Sequence, residues 1–119
     1  MNYNIKGTGL EVSDEIRLYV ERKLSGLDKL VRDADSARAD VEVEYSVGQE
    51  KKYRAEVMLH SPKLAQPLRA EARGDALHEA IDLVEGELFH ELARQKKKRM
   101  HLIRRGAGKI KDILRGFRG

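Results

Sequence analysis

The residues best equipped for chemistry lie between positions 90 and 105. Arg94, Lys96, Lys97, Lys98 and Arg99 put five cations into six positions with no acid among them, and Arg104 and Arg105 follow. Cations this dense neutralise a polyanion and release its counterions. The negative dipole at a helix C-terminus accounts for one or two of them, not for five. Catalytic arrangements fail one by one. His90-Glu91-Leu92-Ala93-Arg94 starts like the zinc helix His-Glu-x-x-His but ends in Arg. His60, His78 and His101 have no ligand spacing. Gly106-Ala107-Gly108-Lys109 would need Gly at 103 and Ser or Thr at 110 to cradle phosphate; Ile103 and Ile110 stand there, so the stretch reads as a hinge. Gly7-Thr8-Gly9 reads as a turn, because Val12 replaces the third glycine of a dinucleotide fingerprint. Glu42 and Glu44 lie two apart on a wet strand face and serve solubility. No nucleophile has a partner base. The chain is expected not to be an enzyme, with no catalytic residues, metal, cofactor or small-molecule substrate.

The elements that position the cations follow from periodicity. From Gly74-Asp75 an apolar stripe runs Leu77, Ile81, Val84, Leu88, Leu92, in steps of four, three, four and four. That is one helix face, expected to run from Asp75 to Arg99. Upstream, Ser13 is a fitting N-cap, and Asp14 and Glu15 sit in a first turn where the dipole favours acids. Ile16, Val20, Leu24, Leu27 and Val31 then predict a helix with Gly26 inside it, at a cost of about 1 kcal/mol relative to Ala. Four segments alternate with period two: Tyr3 and Ile5; Ala39 to Tyr45; Tyr53 to Leu59; Leu68 to Ala72. Each has one apolar side, so the sheet is covered on one face and wet on the other. Only the two amphipathic helices are available as the cover. The expected fold is α+β, a two-layer β-α-β-β-β-α with a four-stranded sheet, two helices on one face and a basic C-terminal tail.

A length of 119 residues suits one domain, taken here as 1–100, followed by a flexible basic tail, 101–119. In the tail, Ile110, Ile113, Leu114 and Phe117 suit a short amphipathic helix, too short to stand alone in water. The absence of cysteine fits a reducing compartment. No secretory leader and no apolar run of membrane-spanning length is seen, so a cytoplasmic location is expected. The net charge of +4 conceals a segregation. Residues 1–93 hold 13 Lys/Arg and 19 Asp/Glu; residues 94–119 hold 11 Lys/Arg and the single acid Asp112. An acidic body with a strongly basic end implies a polyanionic partner.

The residues also resemble a known family. Ile5-Lys6-Gly7, Val12-Ser13, Ile16 to Leu24 and Leu27-Asp28-Lys29, with Gly74-Asp75 and Ala80-Ile81-Asp82 later, are similar to the ribosome hibernation promoting factors and ribosome-associated translation inhibitors. The resemblance spans about residues 1–100. It implies a protein that binds the small ribosomal subunit and whole ribosomes through ribosomal RNA. There it would occupy the mRNA and tRNA channel at the decoding centre, inhibit translation and preserve idle ribosomes under stress. It implies that Lys23 and Lys29 match basic positions of the first helix and Arg94 one of the second. Gly26 stands where lysine is common and His90 where arginine is common. About twenty residues after the second helix are too few for the ribosome-pairing domain of long members, so a short-type factor is expected, monomeric when free. The RNA-binding candidates are thus Arg22, Lys23, Lys29, Arg94, Lys96, Lys97, Lys98, Arg99, Arg104 and Arg105. Two rivals remain: a peripheral membrane protein held by its basic amphipathic tail, and a general binder of structured RNA.

Overall fold

The computed structural model describes the backbone over residues 1–116 and side-chain surroundings over residues 1–106. Four strands, β1 (Asn2–Thr8), β2 (Arg38–Tyr45), β3 (Tyr53–His60) and β4 (Leu68–Gly74), form one sheet in the order β1-β2-β3-β4. The helices are α1 (Asp14–Ser25) and α2 (Leu77–Gly116). β1 and β2 are parallel, and the other neighbours are antiparallel. A parallel pair needs a long crossover, which α1 and two short 3₁₀ turns supply. This is the expected α+β order, with both helices on one face.

The apolar alternation becomes the core. Ile5, Ala39, Val41, Val43, Ala55, Val57, Leu59 and Ala70 point to the covered face and are buried. Against them lie Val20 and Leu24 of α1, and all five stripe residues of α2 together with Ala80. Burying a leucine as fully as Leu24, Leu59 or Leu88 contributes about 1.5–3 kcal/mol. Gly74 is buried where β4 turns into α2; a side chain there would press on the Ala80 amide and the Ala76 carbonyl.

Four local expectations are corrected. First, α1 stops at Ser25 rather than reaching Val31. Gly26 caps it, and the chain tightens into i→i−3 hydrogen bonds from Leu27 to Leu24 and from Leu30 to Leu27. Leu27 and Val31 still reach the core, so periodicity located their burial but not the helix end. Second, β1 continues through Gly7 to Thr8, and the turn falls at Gly9, whose φ of +72° and closeness to the Tyr45 carbonyl oxygen exclude a side chain. Third, α2 begins at Leu77, two residues after Asp75.

Fourth, α2 does not break at Gly106-Ala107-Gly108. It runs 40 residues, about 60 Å, to Gly116. A helical glycine costs only about 1 kcal/mol, and extending an existing helix needs no new nucleus. The side chains of the expected tail helix, Ile110, Ile113, Leu114 and Phe117, lie outside the described residues.

The wet face of the sheet is more organised than its sequence implied. Arg54 sits at its centre with only 13% of its side chain exposed, bound to Glu42, Glu44, Glu56 and Glu71 at 2.6, 3.1, 2.5 and 3.3 Å. Arg69 bridges Glu56 and Glu71, and Lys6 meets Glu42. Glu42 and Glu44 therefore do not merely face water; they hold a cation that ties three strands together. Burial lowers the Arg54 pKa, but hydrogen bonds to Glu42 and Glu71 outweigh it and the net shift is upward. The Arg54 hydrogen bond holds both the Glu42 and Glu71 carboxyls below their usual range. Their stabilising effect is thus full above the unfolded carboxylate pKa, near 4.5, and is lost as pH falls through their lower folded values. Replacing Arg54 by Met leaves Glu44 with no cation, and Glu42, Glu56 and Glu71 with only the exposed Lys6 and Arg69. It is expected to cost about 2 kcal/mol at pH 7, between the surface and fully buried limits. The deficit should shrink below pH 4.5 as the carboxylates protonate, read from urea melts of both proteins at the two pH values.

Candidate nucleic-acid interface

The ten candidate cations do not form one patch. They divide according to where α2 leaves the core. Among the described residues Leu92 is the last one buried, and the basic run follows it.

One group sits on α1. Arg22 is exposed and Lys23 half-exposed. Both approach the Tyr19 ring, each 5.7 Å from its centre, and His78 meets that ring edge-on. Tyr19 donates a hydrogen bond to Asp82 of α2, and the Lys23 ammonium lies 3.2 Å from the same carboxylate. The Asp82 hydrogen bond raises the Lys23 pKa. Burial pushes Asp82 up, but Tyr19 and Lys23 together leave its carboxyl below the ordinary value. Lys23 is therefore charged but already partnered.

A second group lies along α2 on the side away from α1. Arg94, Lys98 and Arg105 are spaced by four and seven residues and share a helix face. Arg94 grips Glu91 through two hydrogen bonds, at 3.0 and 2.5 Å. That contact lowers the Glu91 pKa and raises that of Arg94. Arg99, seven residues after Leu92, continues the line of the buried stripe and is half-exposed.

The third group surrounds a groove between the 3₁₀ turn Asp28–Leu30 and α2. Leu30, Ala93 and Met100 form an apolar floor; Lys96, Lys97 and Arg104 form the rim, with His101 at one end. Among the described residues no carboxylate lines it. Lys29 is exposed and directly precedes Leu30. The fold thus brings the turn that carries Lys29 beside Lys96, Lys97 and Arg104, though sequence separates Lys29 from them by more than sixty positions.

The opposite face differs. Residues of β1 to β4 pointing there carry as many acids as Lys and Arg; Glu42, Glu44, Glu56 and Glu71 are bound in the Arg54 network, and Asp40 pairs with Arg38 and His60. Among the described residues no group of three or more His, Asp or Glu could hold a metal ion. Nor is any described helix long and apolar enough to cross a membrane.

A basic, projecting helix on a β-α-β-β-β-α scaffold is the geometry against which known proteins can be compared. The family model described as sigma 54 modulation protein / S30EA ribosomal protein matches residues 3–100. The chain belongs to this family. Two curated relatives are ribosome hibernation promotion factors. That of Lactococcus lactis is 36% identical over 96 residues, covering 81% of this chain and 50% of the relative. That of Bacillus subtilis is 34% identical over 98 residues, covering 82% and 50%. The chain thus spans about half the length of the curated relatives it matches. Among solved structures, the N-terminal domain of Thermus thermophilus Protein Y superposes with a TM-score of 0.66 at 33% identity, over 79% of this chain and 98% of that domain. A ribosomal subunit interface protein from Coxiella burnetii gives the same TM-score at 19% identity, over 82% and 99%, and shares the fold.

Within this family's scaffold, Gly26 lies outside α1 as its cap, and His90 is exposed, edge-on to Phe89. Sequence reasoning missed the groove floor and the two carboxylates that engage Lys23 and Arg94. The i, i+3 spacing of Glu91 and Arg94 was a legible signal for one of them; Asp82 was not foreseeable without the helix pairing. Asp82→Asn and Glu91→Gln should each release one cation to an incoming polyphosphate. Each variant is expected to elute from a heparin column at higher salt than the parent, and to steepen the salt dependence by about one counterion's worth.

Proposed function

We propose that this protein binds the small ribosomal subunit in the channel used by mRNA and tRNA near the decoding centre. There it inhibits translation and preserves idle ribosomes under stress, in the cytoplasm. The observation that carries the reading is the acid-free run from Lys96 to Arg105, held on a helix that has left its own core. The hibernation factors among its relatives support the same direction. Ribosomal RNA is a dense phosphate surface, and folded RNA is recognised largely through shape and backbone. Blocking a channel requires no reaction. It requires a body of fitting width and enough charge to remain in place, and the core below Leu92 supplies the body.

The membrane alternative needs the segment 109–118, whose side chains lie outside the described residues. A general structured-RNA binder would use the same cations without a preference for subunits. The three readings differ in what they capture. Changing Lys96, Lys97, Lys98 and Arg99 together to Glu should abolish co-sedimentation with small subunits at physiological salt. Thermal unfolding should be unchanged, because all four lie beyond the last buried residue of α2. Undiminished co-sedimentation, or capture by anionic liposomes in preference to subunits, would contradict the proposal.

A further inference from the structure

We infer that the groove between the 3₁₀ turn and α2 holds one unpaired RNA nucleotide, its base on the Met100 floor and its phosphates on the Lys96, Lys97 and Arg104 rim. This rests on the RNA-binding reading and specifies which feature of the RNA the protein grips. The groove encloses about 390 Å³, in the range of small-ligand clefts.

Its composition argues for a nucleotide rather than a phosphate alone. Phosphate contact needs only cations; Arg94 also borders a groove with apolar lining, at Leu64, Ala65, Pro67 and Leu68, but Glu91 lines that one too. Here three cations and a histidine surround apolar carbon, and Met100 is 43% exposed although it lies beyond the core. A flat aromatic ring with an anionic linkage on its edge matches that pairing of surfaces. A base inside a helix is stacked and has no free face, so the occupant must be bulged, looped or terminal. Methionine suits the task, since its thioether is polarisable, contacts aromatic rings favourably and adapts to purine or pyrimidine. Among the described residues no carboxylate lines the groove, which sets it apart from Lys23 and Arg94, each of which meets an internal acid first.

The test uses the full chain and two RNA hairpins with the same stem, each closed by a non-nucleotide linker, one fully paired and one carrying a single bulged adenosine, with affinity read by fluorescence anisotropy. The expected result is tighter binding of the bulged hairpin. Met100→Gln, which keeps length and charge at an exposed position, should weaken that binding by about three- to tenfold and leave the paired hairpin unaffected. Lys96→Ala with Lys97→Ala should weaken both hairpins alike. Equal affinity for the two hairpins, with Met100→Gln changing neither, would overturn the nucleotide site while leaving RNA binding in place. Failure to bind either hairpin even at low salt would overturn the RNA reading itself. Loss of binding to phosphatidylserine vesicles in Met100→Gln, without any preference between hairpins, would reassign the groove to a membrane surface.

Discussion

The packing of α2 across β3 and β4 is the interaction on which the other features depend. Leu77, Ala80, Ile81, Val84, Leu88 and Leu92 are buried against the strands, and they fix both the position and the rotation of the helix. Because a helix is stiff and periodic, fixing its first sixteen residues also fixes where every later side chain projects. The basic run begins two residues after the last buried leucine. The core therefore aims the charges, and shifting the stripe by one residue would rotate them by about 100°. α1 has a shorter part in this. Its end at Ser25 lets the chain turn inward at Leu27, which sets Leu30 beside the projecting half of α2.

Charge is sorted by neutralisation as much as by location. On the open sheet face the acids converge on Arg54 and Arg69, so a region rich in carboxylates presents a balanced surface. On the helix side the cations fall into two kinds. Lys23 and Arg94 are held by Asp82 and Glu91, and phosphate must compete for them. Lys96, Lys97 and Arg104 line a groove without acids. Such an arrangement gives attraction from a distance through the whole cluster, and moderates the final affinity through the paired members.

Most of the fold was legible because burial imposes period, and period survives in sequence. The five-residue stripe of α2 and the alternation in β2 and β3 were both sufficient. What misled was punctuation. Gly26 and Gly106 carry the same intrinsic penalty, yet one ends a helix and the other lies within one. The difference is the neighbour: Leu27 has a core to turn into, whereas among the described residues none beyond Leu92 is buried. The candidate site was legible as a list of cations but not as an arrangement. That Lys23 meets Asp82 depends on α1 lying beside α2, and the approach of Leu30 to Lys96 and Lys97 depends on a crossover of secondary elements. Neither leaves a local mark.

The most direct measurement is lysine footprinting by acetylation and mass spectrometry, with and without small ribosomal subunits at physiological salt. If the projecting half of α2 and the adjoining 3₁₀ turn form the contact surface, Lys29, Lys96, Lys97 and Lys98 become protected while Lys6, Lys51 and Lys52 react as before. Protection of Lys6, Lys51 and Lys52 instead, or of no lysine despite stable association, would contradict the assignment of the RNA-binding surface to the helix side.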